Sequence, residues 1–254
     1  MTQLRPFFSY YGGKWRDAMK NYPPPRFPTI VEPFAGSAGF ALRYSDRNVV
    51  LCEIDPVLCE VWRYLIGVKA GEILAIPDLR DGDSVDDLTV CQEAKWLVGF
   101  WLNKGSSGPR KRPSKWMRSG VCPGSFWGER VRQTIASQVD RIRHWKIEGC
   151  SYEEAPVMSA TWFVDPPYQK AGVHYRFGAR HLDYDALARW CRDLRGQVIV
   201  CENDVATWLP FRAVANVKTS RAGRRSSEAV WISDTGEVEH TVDAPVLWRL
   251  RSAT

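Results

Sequence analysis

The run Thr29-Ile30-Val31-Glu32-Pro33-Phe34-Ala35-Gly36-Ser37-Ala38-Gly39-Phe40 decides the fold class, together with Val49-Val50-Leu51-Cys52-Glu53-Ile54-Asp55 just after it. Thr29–Val31 and Val49–Ile54 are short β-branched runs that stop at turn residues, so both read as strands. Between them Gly36 and Gly39 sit in a strand-to-helix turn, where glycine lets the backbone come close to a ligand. Helical periodicity follows over Val57–Val68. A strand, a glycine turn, a helix and a second strand open an α/β domain with a mainly parallel sheet.

Further strand signals lie at Thr161–Val164, Gln197–Cys201, Ala213–Val217 and Ala229–Ile232. Asp234-Thr235-Gly236 reads as a hairpin turn leading into Val238–Val242. Helical patterns recur at Ala94–Leu102, Arg130–Trp145 and Tyr184–Leu194. The middle of the chain has helical patterning and a basic loop but no clear strand. The expected organisation is therefore an α/β core over 1–65 and 150–254, interrupted by a mostly helical insertion over 66–149. No internal repeat is visible.

The chain has 254 residues, 44% of them apolar and 12% aromatic, enough for a sizeable core, and this excludes global disorder. No apolar run approaches the roughly 18–20 residues that span a bilayer, and the N-terminus lacks the apolar run of a secretory signal. A soluble, cytoplasmic protein with no membrane partner is expected. The seven cysteines form no Cys-x-x-Cys pair and are not spaced against the four histidines like zinc ligands, so they read as free thiols with no metal site.

The net charge of +6 permits an anionic partner. Its distribution says more. Asn103–Gly120 carries Lys104, Arg110, Lys111, Arg112, Lys115 and Arg118 and no acid, among glycines, serines and prolines. Lys218–Arg225 carries Lys218, Arg221, Arg224 and Arg225, again without an acid. Both segments read either as solvated turns or as phosphate-binding surfaces.

Three constellations bear on chemistry. The spacing of Gly36 and Gly39 is Gly-x-x-Gly rather than the dinucleotide Gly-x-Gly-x-x-Gly, and no Gly-Lys-Ser/Thr phosphate loop is present. Asp55 stands about 20 residues after the turn, where an acid suits ribose hydroxyls, so the site suits a nucleoside without a diphosphate. A plain tight turn and a solvated Asp is the other reading. After Val164 comes Asp165-Pro166-Pro167-Tyr168: a carboxylate, carbonyls on a stiff turn and a flat ring, which can grip a planar amine. A purely structural Pro-Pro turn is the alternative. Phe7-Phe8-Ser9-Tyr10-Tyr11-Gly12-Gly13-Lys14-Trp15 reads either as a hydrophobic anchor or as aromatic faces and a cation beside a charged ligand.

In this order the three segments resemble the Dam-like DNA adenine-N6 methyltransferases, which use S-adenosylmethionine. The aromatic-x-Gly-Gly-Lys entry motif matches Tyr10, Tyr11, Gly12, Gly13 and Lys14. The cofactor loop matches Val31 to Gly39, with Glu32, Pro33, Phe34, Gly36, Ser37 and Gly39 as contacts. The acid closing the second strand matches Asp55, beside Ile54, and the catalytic motif matches Asp165, Pro166, Pro167 and Tyr168. Where the family often has an Asp and an aromatic that contact the cofactor adenine before the catalytic strand, this chain has Cys150-Ser151-Tyr152, so Ser151 replaces the acid; Ser151, Tyr152 and Asp165 are the remaining expected cofactor contacts.

The resemblance implies a Rossmann-like S-adenosylmethionine-dependent methyltransferase sheet, with target recognition in the insertion. It implies methyl transfer to an exocyclic amine whose N–H groups are accepted by the Asp165 carboxylate and the Pro166 carbonyl. A base inside a duplex must be flipped out first, and Tyr168 would stack on it. Duplex DNA is the expected partner, with no metal and no obligate protein partner. Asn103, Lys104, Arg110, Lys111, Arg112, Lys115 and Arg118 are the expected DNA contacts, with Arg221, Arg224 and Arg225 as a second set. The amine-gripping turn equally fits cytosine N4 or adenine in RNA. A catalytically inactive DNA-binding regulator is disfavoured by the intact Lys14, Asp55, Asp165, Pro166 and Tyr168.

Overall fold

Alternating residues along each strand send their side chains to opposite faces, and here both faces are apolar. The computed structural model describes residues 3–16, 21–120, 124–170, 172, 175–218 and 225–235. Its strands are β1 (Thr29–Glu32), β2 (Asn48–Cys52), β3 (Lys146–Glu148), β4 (Ala160–Val164), β5 (Gly196–Asn203), β6 (Arg212–Lys218) and β7 (Arg225–Thr235). Ile30, Leu51, Phe163 and Ile199 face one core, whereas Val31, Val50, Trp162, Val164 and Val198 face the other. Burial on both sides is what near-continuous apolar strands require.

The strands form one seven-stranded sheet in the order β3-β2-β1-β4-β5-β7-β6. Pairing from β3 through β5 is parallel; β7 runs antiparallel to both β5 and β6. This is the mostly parallel, Rossmann-like α/β class expected from the sequence. The chain proceeds from β1 outward to β2 and β3, then returns to β4 on the other side of β1. The crevice between the loops after β1 and β4 is therefore the switch point where open α/β sheets bind ligands.

The helices are α1 (Pro56–Gly67), α2 (Ala70–Ala75), α3 (Gln92–Trp101), α4 (Lys115–Arg118), α5 (Glu129–Ala136) and α6 (Tyr184–Asp193). In α1, Asp55 accepts from Val57 N at 3.0 Å as N-cap, Pro56 takes the first helical position, and Leu58, Val61, Trp62 and Leu65 make the buried face. This cap ends β2 at Cys52, shorter than the run to Ile54 read from hydrophobicity. In α6, Asp183 accepts from the N–H groups of Asp185 and Ala186, and Leu187, Ala188 and Cys191 pack on the second core.

Four expectations are corrected. The glycine turn leads not into an α-helix but into a single 3-10 turn, Ala41–Tyr44, because the chain must start β2 at Asn48. The helix expected over Arg130–Trp145 ends at Ala136. There Thr134 and Ser137 hydroxyls bond backbone carbonyls within the helix, and Gln138 leaves it to bond both N–H and C=O of Arg5. Lys146–Glu148, assigned to the insertion, is a sheet strand paired with β2. Asp234 and Thr235, expected in a turn, continue β7 opposite Gln197 and Gly196. The expected strand Val238–Val242 lies outside the described residues.

The segment 66–149 does not carry a core of its own. Ile73, Leu88, Leu97, Phe100, Val131 and Ile135 join the same apolar cluster as Ile30, Leu51 and Phe163 of the sheet. At its centre Trp62 meets Phe7, Phe8 and Trp145 at ring distances of 6.0, 5.4 and 5.9 Å, and its Nε1 donates to Gly36 O at 2.8 Å. Trp62→Ala should therefore lower stability by about 3–5 kcal/mol, read as a shift of the urea midpoint. Trp62→Phe, which keeps a ring but loses the bond to Gly36, should cost roughly 1 kcal/mol for that bond plus a smaller packing term. Equal losses for both would mean that the ring is not the central contact.

Candidate active site

At the switch point a cavity of about 470 Å³ opens between the loops after β1, β2 and β4 and the N-terminal segment. Every residue assigned above to cofactor binding lines it: Tyr10 to Lys14, Glu32 to Phe34, Gly36, Ser37, Gly39, Ile54, Asp55, Ser151, Tyr152 and Asp165. Of the catalytic tetrapeptide, Asp165 and Pro167 line it, and the Tyr168 ring next to them is partly exposed.

The two glycine motifs are interlocked. A side chain at Gly39 would lie 2.7 Å from Trp15 N and 2.9 Å from Lys14 N, so glycine is needed there for loop-to-loop contact, not only for approach to a ligand. Gly36 has φ +46 and lies beneath the Tyr10 ring. Glu53 clamps this turn, its Oε2 accepting from Gly36 N at 2.9 Å and its Oε1 from Asp55 N at 3.0 Å. Burial raises the Glu53 carboxyl to about 7, with both of those N–H groups acting against the shift. Glu32 is pushed further, to about 8, by burial, although Ala41 N donates to it at 2.6 Å. Glu32 thus serves the backbone of its own loop as well as facing the cavity.

Lys14 is the site's buried cation, 8% exposed. Its Nζ lies 3.0 Å from Asp165 Oδ1, donates to Gly12 O at 2.9 Å, and stands 4.7 Å from the centre of the Tyr168 ring. Burial acts to lower its pKa, but the Asp165 and Glu228 carboxylates outweigh that and hold it charged. Burial raises the Asp165 carboxyl to about 6, with Lys14 holding it down against the full effect. Asp165 Oδ2 makes no hydrogen bond among the described residues. The turn itself is stiffened from outside: Tyr184 Oη donates to Pro167 O, and no donor among the described residues takes Pro166 O.

Tyr168 points its hydroxyl away from the cavity, donating to Glu228 Oε2 at 2.6 Å, and burial raises its phenol well above the usual range. On the opposite side of the cavity Phe34 stacks on Tyr152 at 5.5 Å. Ser151 caps a short 3-10 turn through a reciprocal pair with Glu154. Asp55 Oδ1 is used by the α1 cap and lies 3.8 Å from Arg176 Nη1, while Oδ2 makes no hydrogen bond among the described residues.

Residues that the sequence did not single out also line the cavity, among them Tyr175, Arg176, Phe177, His181 and Asp183 after the catalytic turn. Tyr175 Oη donates to Tyr11 O at 3.1 Å, and its ring lies 6.0 Å from Tyr10 and 5.6 Å from Tyr11. Their stretch has no periodicity; its aromatic spacing Tyr175-x-Phe177 was the available signal.

The basic loop is tied down. Tyr11 N donates to Ser106 O, Arg110 N to Gly99 O, and Ser114 N to Leu102 O, so its base packs on the Gly-Gly-Lys motif and on α3. Its cations meet acids from 78–87 across a short gap: Lys111 Nζ lies 2.8 Å from Asp86, and Arg118 lies 3.7 Å from Asp81, while Arg112 donates to Gly82 O. Lys104 stands over Phe126 and Lys115 over Trp116; Asn103 and Lys104 follow directly on the end of α3. Arg225 begins β7, and Arg221 and Arg224 lie outside the described residues. No group of three or more metal-ligating side chains occurs among the described residues, and none of their helices is long and apolar enough to cross a membrane.

No protein-family model and no curated protein matches the chain. Among solved structures it is similar to a conserved hypothetical protein of Streptococcus pyogenes, with 11% identity, TM-score 0.34, and coverage of 84% of this chain and 90% of that one. It is also similar to the rRNA methyltransferase aviRa from Streptomyces viridochromogenes, with 13% identity, TM-score 0.41, and coverage of 90% and 87%.

Proposed function

We propose that this chain transfers a methyl group from S-adenosylmethionine to the N6 amine of a flipped-out adenine in duplex DNA. One observation carries the reading. The Asp-Pro-Pro-Tyr turn places Asp165 in the wall of a nucleoside-sized cavity, ion-paired at 3.0 Å with the lysine of Tyr-Tyr-Gly-Gly-Lys. The motif resemblance adds the substrate.

The cavity fits such a cofactor. About 470 Å³ lies within the range of small-molecule sites, roughly 300–1,000 Å³. Phe34, Tyr152 and Ile54, the last 52% exposed, offer apolar contact to a base. Asp55 Oδ2 would accept from ribose hydroxyls, and Gly12, Gly13 and Lys14 would meet the charged amino-acid end. When bound, the sulfonium supplies an electrophilic methyl group.

The rest follows from the chain's own groups. An exocyclic amine is a poor nucleophile because its lone pair is delocalised into the ring. Asp165 Oδ2 and Pro166 O, neither of which takes a donor among the described residues, would take its two N–H groups. That favours a pyramidal nitrogen and stabilises the charge that grows on it. Lys14 keeps Asp165 ionised and oriented through Oδ1. The proton leaves after transfer, so no strong base is needed beforehand. The partly exposed Tyr168 ring would stack on the extruded base, and the basic loop, whose base touches Tyr11, would follow the DNA backbone beside it.

Three measurements test this. Incubation of the protein with methyl-labelled S-adenosylmethionine and unmethylated duplex DNA, followed by nucleoside digestion, should put label in N6-methyladenine. Asp165→Ala should abolish it in protein that still folds, at a cost of several kcal/mol in stability from the unpaired Lys14; label in N4-methylcytosine, or in RNA only, would replace the substrate. The rate should fall as pH drops through about 6, because protonated Asp165 loses its acceptor role. In Lys14→Met that acidic limb should move to higher pH, since the cation holding the carboxyl down is gone; a limb that stays put would uncouple the pair from the reaction. Finally, replacing Arg110, Lys111 and Arg112 by Ala should flatten the dependence of log Kd on log salt by about 0.9 for each phosphate no longer neutralised. An unchanged slope would place DNA elsewhere.

A further inference from the structure

We propose that Glu228, on the antiparallel strand β7, is a positioning residue that sets the Tyr168 ring, and through it the Lys14 ammonium, for the methyl transfer proposed above, on which this inference rests. Glu228 is 9% exposed and does not line the cavity. Its Oε2 accepts from Tyr168 Oη at 2.6 Å and from Tyr22 Oη at 3.4 Å. A short O–H···O⁻ bond is about twice as strong as a neutral one, and a buried carboxylate without donors is costly, so both partners hold each other in place.

The geometry extends to the reacting groups. With its hydroxyl anchored, the Tyr168 ring is fixed at its far end, and Lys14 Nζ lies 4.7 Å from its centre while gripping Asp165 at 3.0 Å. One β-strand position therefore orients both the stacking face and the cation that orients the acceptor carboxylate. The phenol is also removed from the chemistry: it is already spent on Glu228 and is not a proton donor to substrate. Glu202 works beside it. Wholly buried on β5, it accepts from Gln169 N at 2.6 Å, so two carboxylates from neighbouring strands seize consecutive residues of the turn. β5 and β7 are paired in register here, Asn203 opposite Glu228 and Glu202 opposite Ala229, so the two carboxylates reach the turn from opposite faces of the sheet.

Kinetics of Tyr168→Phe, Glu228→Leu, the double variant and Glu228→Gln test the idea. Loss of the bond should lower kcat about 10- to 100-fold, with KM for S-adenosylmethionine changed less than threefold or so. The double variant should be no worse than either single one, and Glu228→Gln, which keeps an acceptor oxygen, should recover most of the rate. Additive losses, an effect on KM alone, or a Tyr168→Phe enzyme at full speed would overturn the proposal. Should Glu228→Leu fail to fold, Tyr168→Phe and Glu228→Gln decide it. Fluorine NMR of protein carrying meta-fluorotyrosine separates this from failure of the methyltransferase reading. The Tyr168 signal, identified by its loss in Tyr168→Phe, should be unchanged in Glu228→Gln and displaced in Glu228→Leu whether or not methyl is transferred. An undisplaced signal in Glu228→Leu would show that Glu228 does not hold the ring.

Discussion

A lysine ammonium buried against the Asp165 carboxylate constrains everything around it. Lys14 is almost wholly covered, and an unpaired charge there would cost several kcal/mol, so Asp165 must stay within reach of it. That requirement carries the N-terminal segment over the carboxyl end of β4, where Gly39 admits its backbone and where Ser106 and Tyr175 bond Tyr11 from either side. The cavity is what remains between these tethered pieces. Glu32, Glu53 and Asp165 all titrate higher because they are buried, and each is restrained by its own donors, backbone N–H groups or, for Asp165, Lys14.

The sheet gives that constraint its rigidity. Parallel strands β1 and β4 end side by side, so the turns after them open into one crevice. The antiparallel pair β6–β7 brings Glu228 to the rear of the catalytic turn, and β5 brings Glu202. The turn is thereby gripped from behind by two buried acceptors and from the side by Tyr184, while its front is left to the cavity. The segment 66–149 joins this arrangement as a layer of the same core, not as an attached module. Its basic loop is a tethered surface whose cations partly neutralise the acids of 78–87, which tempers the charge excess visible in the linear sequence.

Much of this was legible in the chain. Short β-branched and aromatic runs bounded by turn residues located six of the seven strands among the described residues, because strands buried on both faces leave an apolar signature; β3, three residues with two exposed, leaves none. Helical periodicity placed α1 and α6 to within a residue. The part of the lining that comes from the three motifs was readable because it is built from contiguous turns at strand ends, so motif order already implies spatial neighbourhood; Tyr175, Arg176, Phe177, His181 and Asp183 were not. The pairing of Lys14 with Asp165, 151 positions apart in the chain, was not readable; nor was the withdrawal of the Tyr168 hydroxyl from the cavity.

By itself the sequence determined the strands, the glycine turns, the stiff Asp-Pro-Pro-Tyr turn and their order, since each rests on local backbone preferences and on side-chain period. Only the tertiary structure decided which of those polar groups are spent on one another. Asp55 Oδ1 went to a helix cap, Glu32 and Glu53 to the glycine turn, Tyr168 to Glu228, and Lys111 to Asp86. Those allocations depend on strand order and on what is desolvated together, and both are properties of the packed core, which no local pattern encodes.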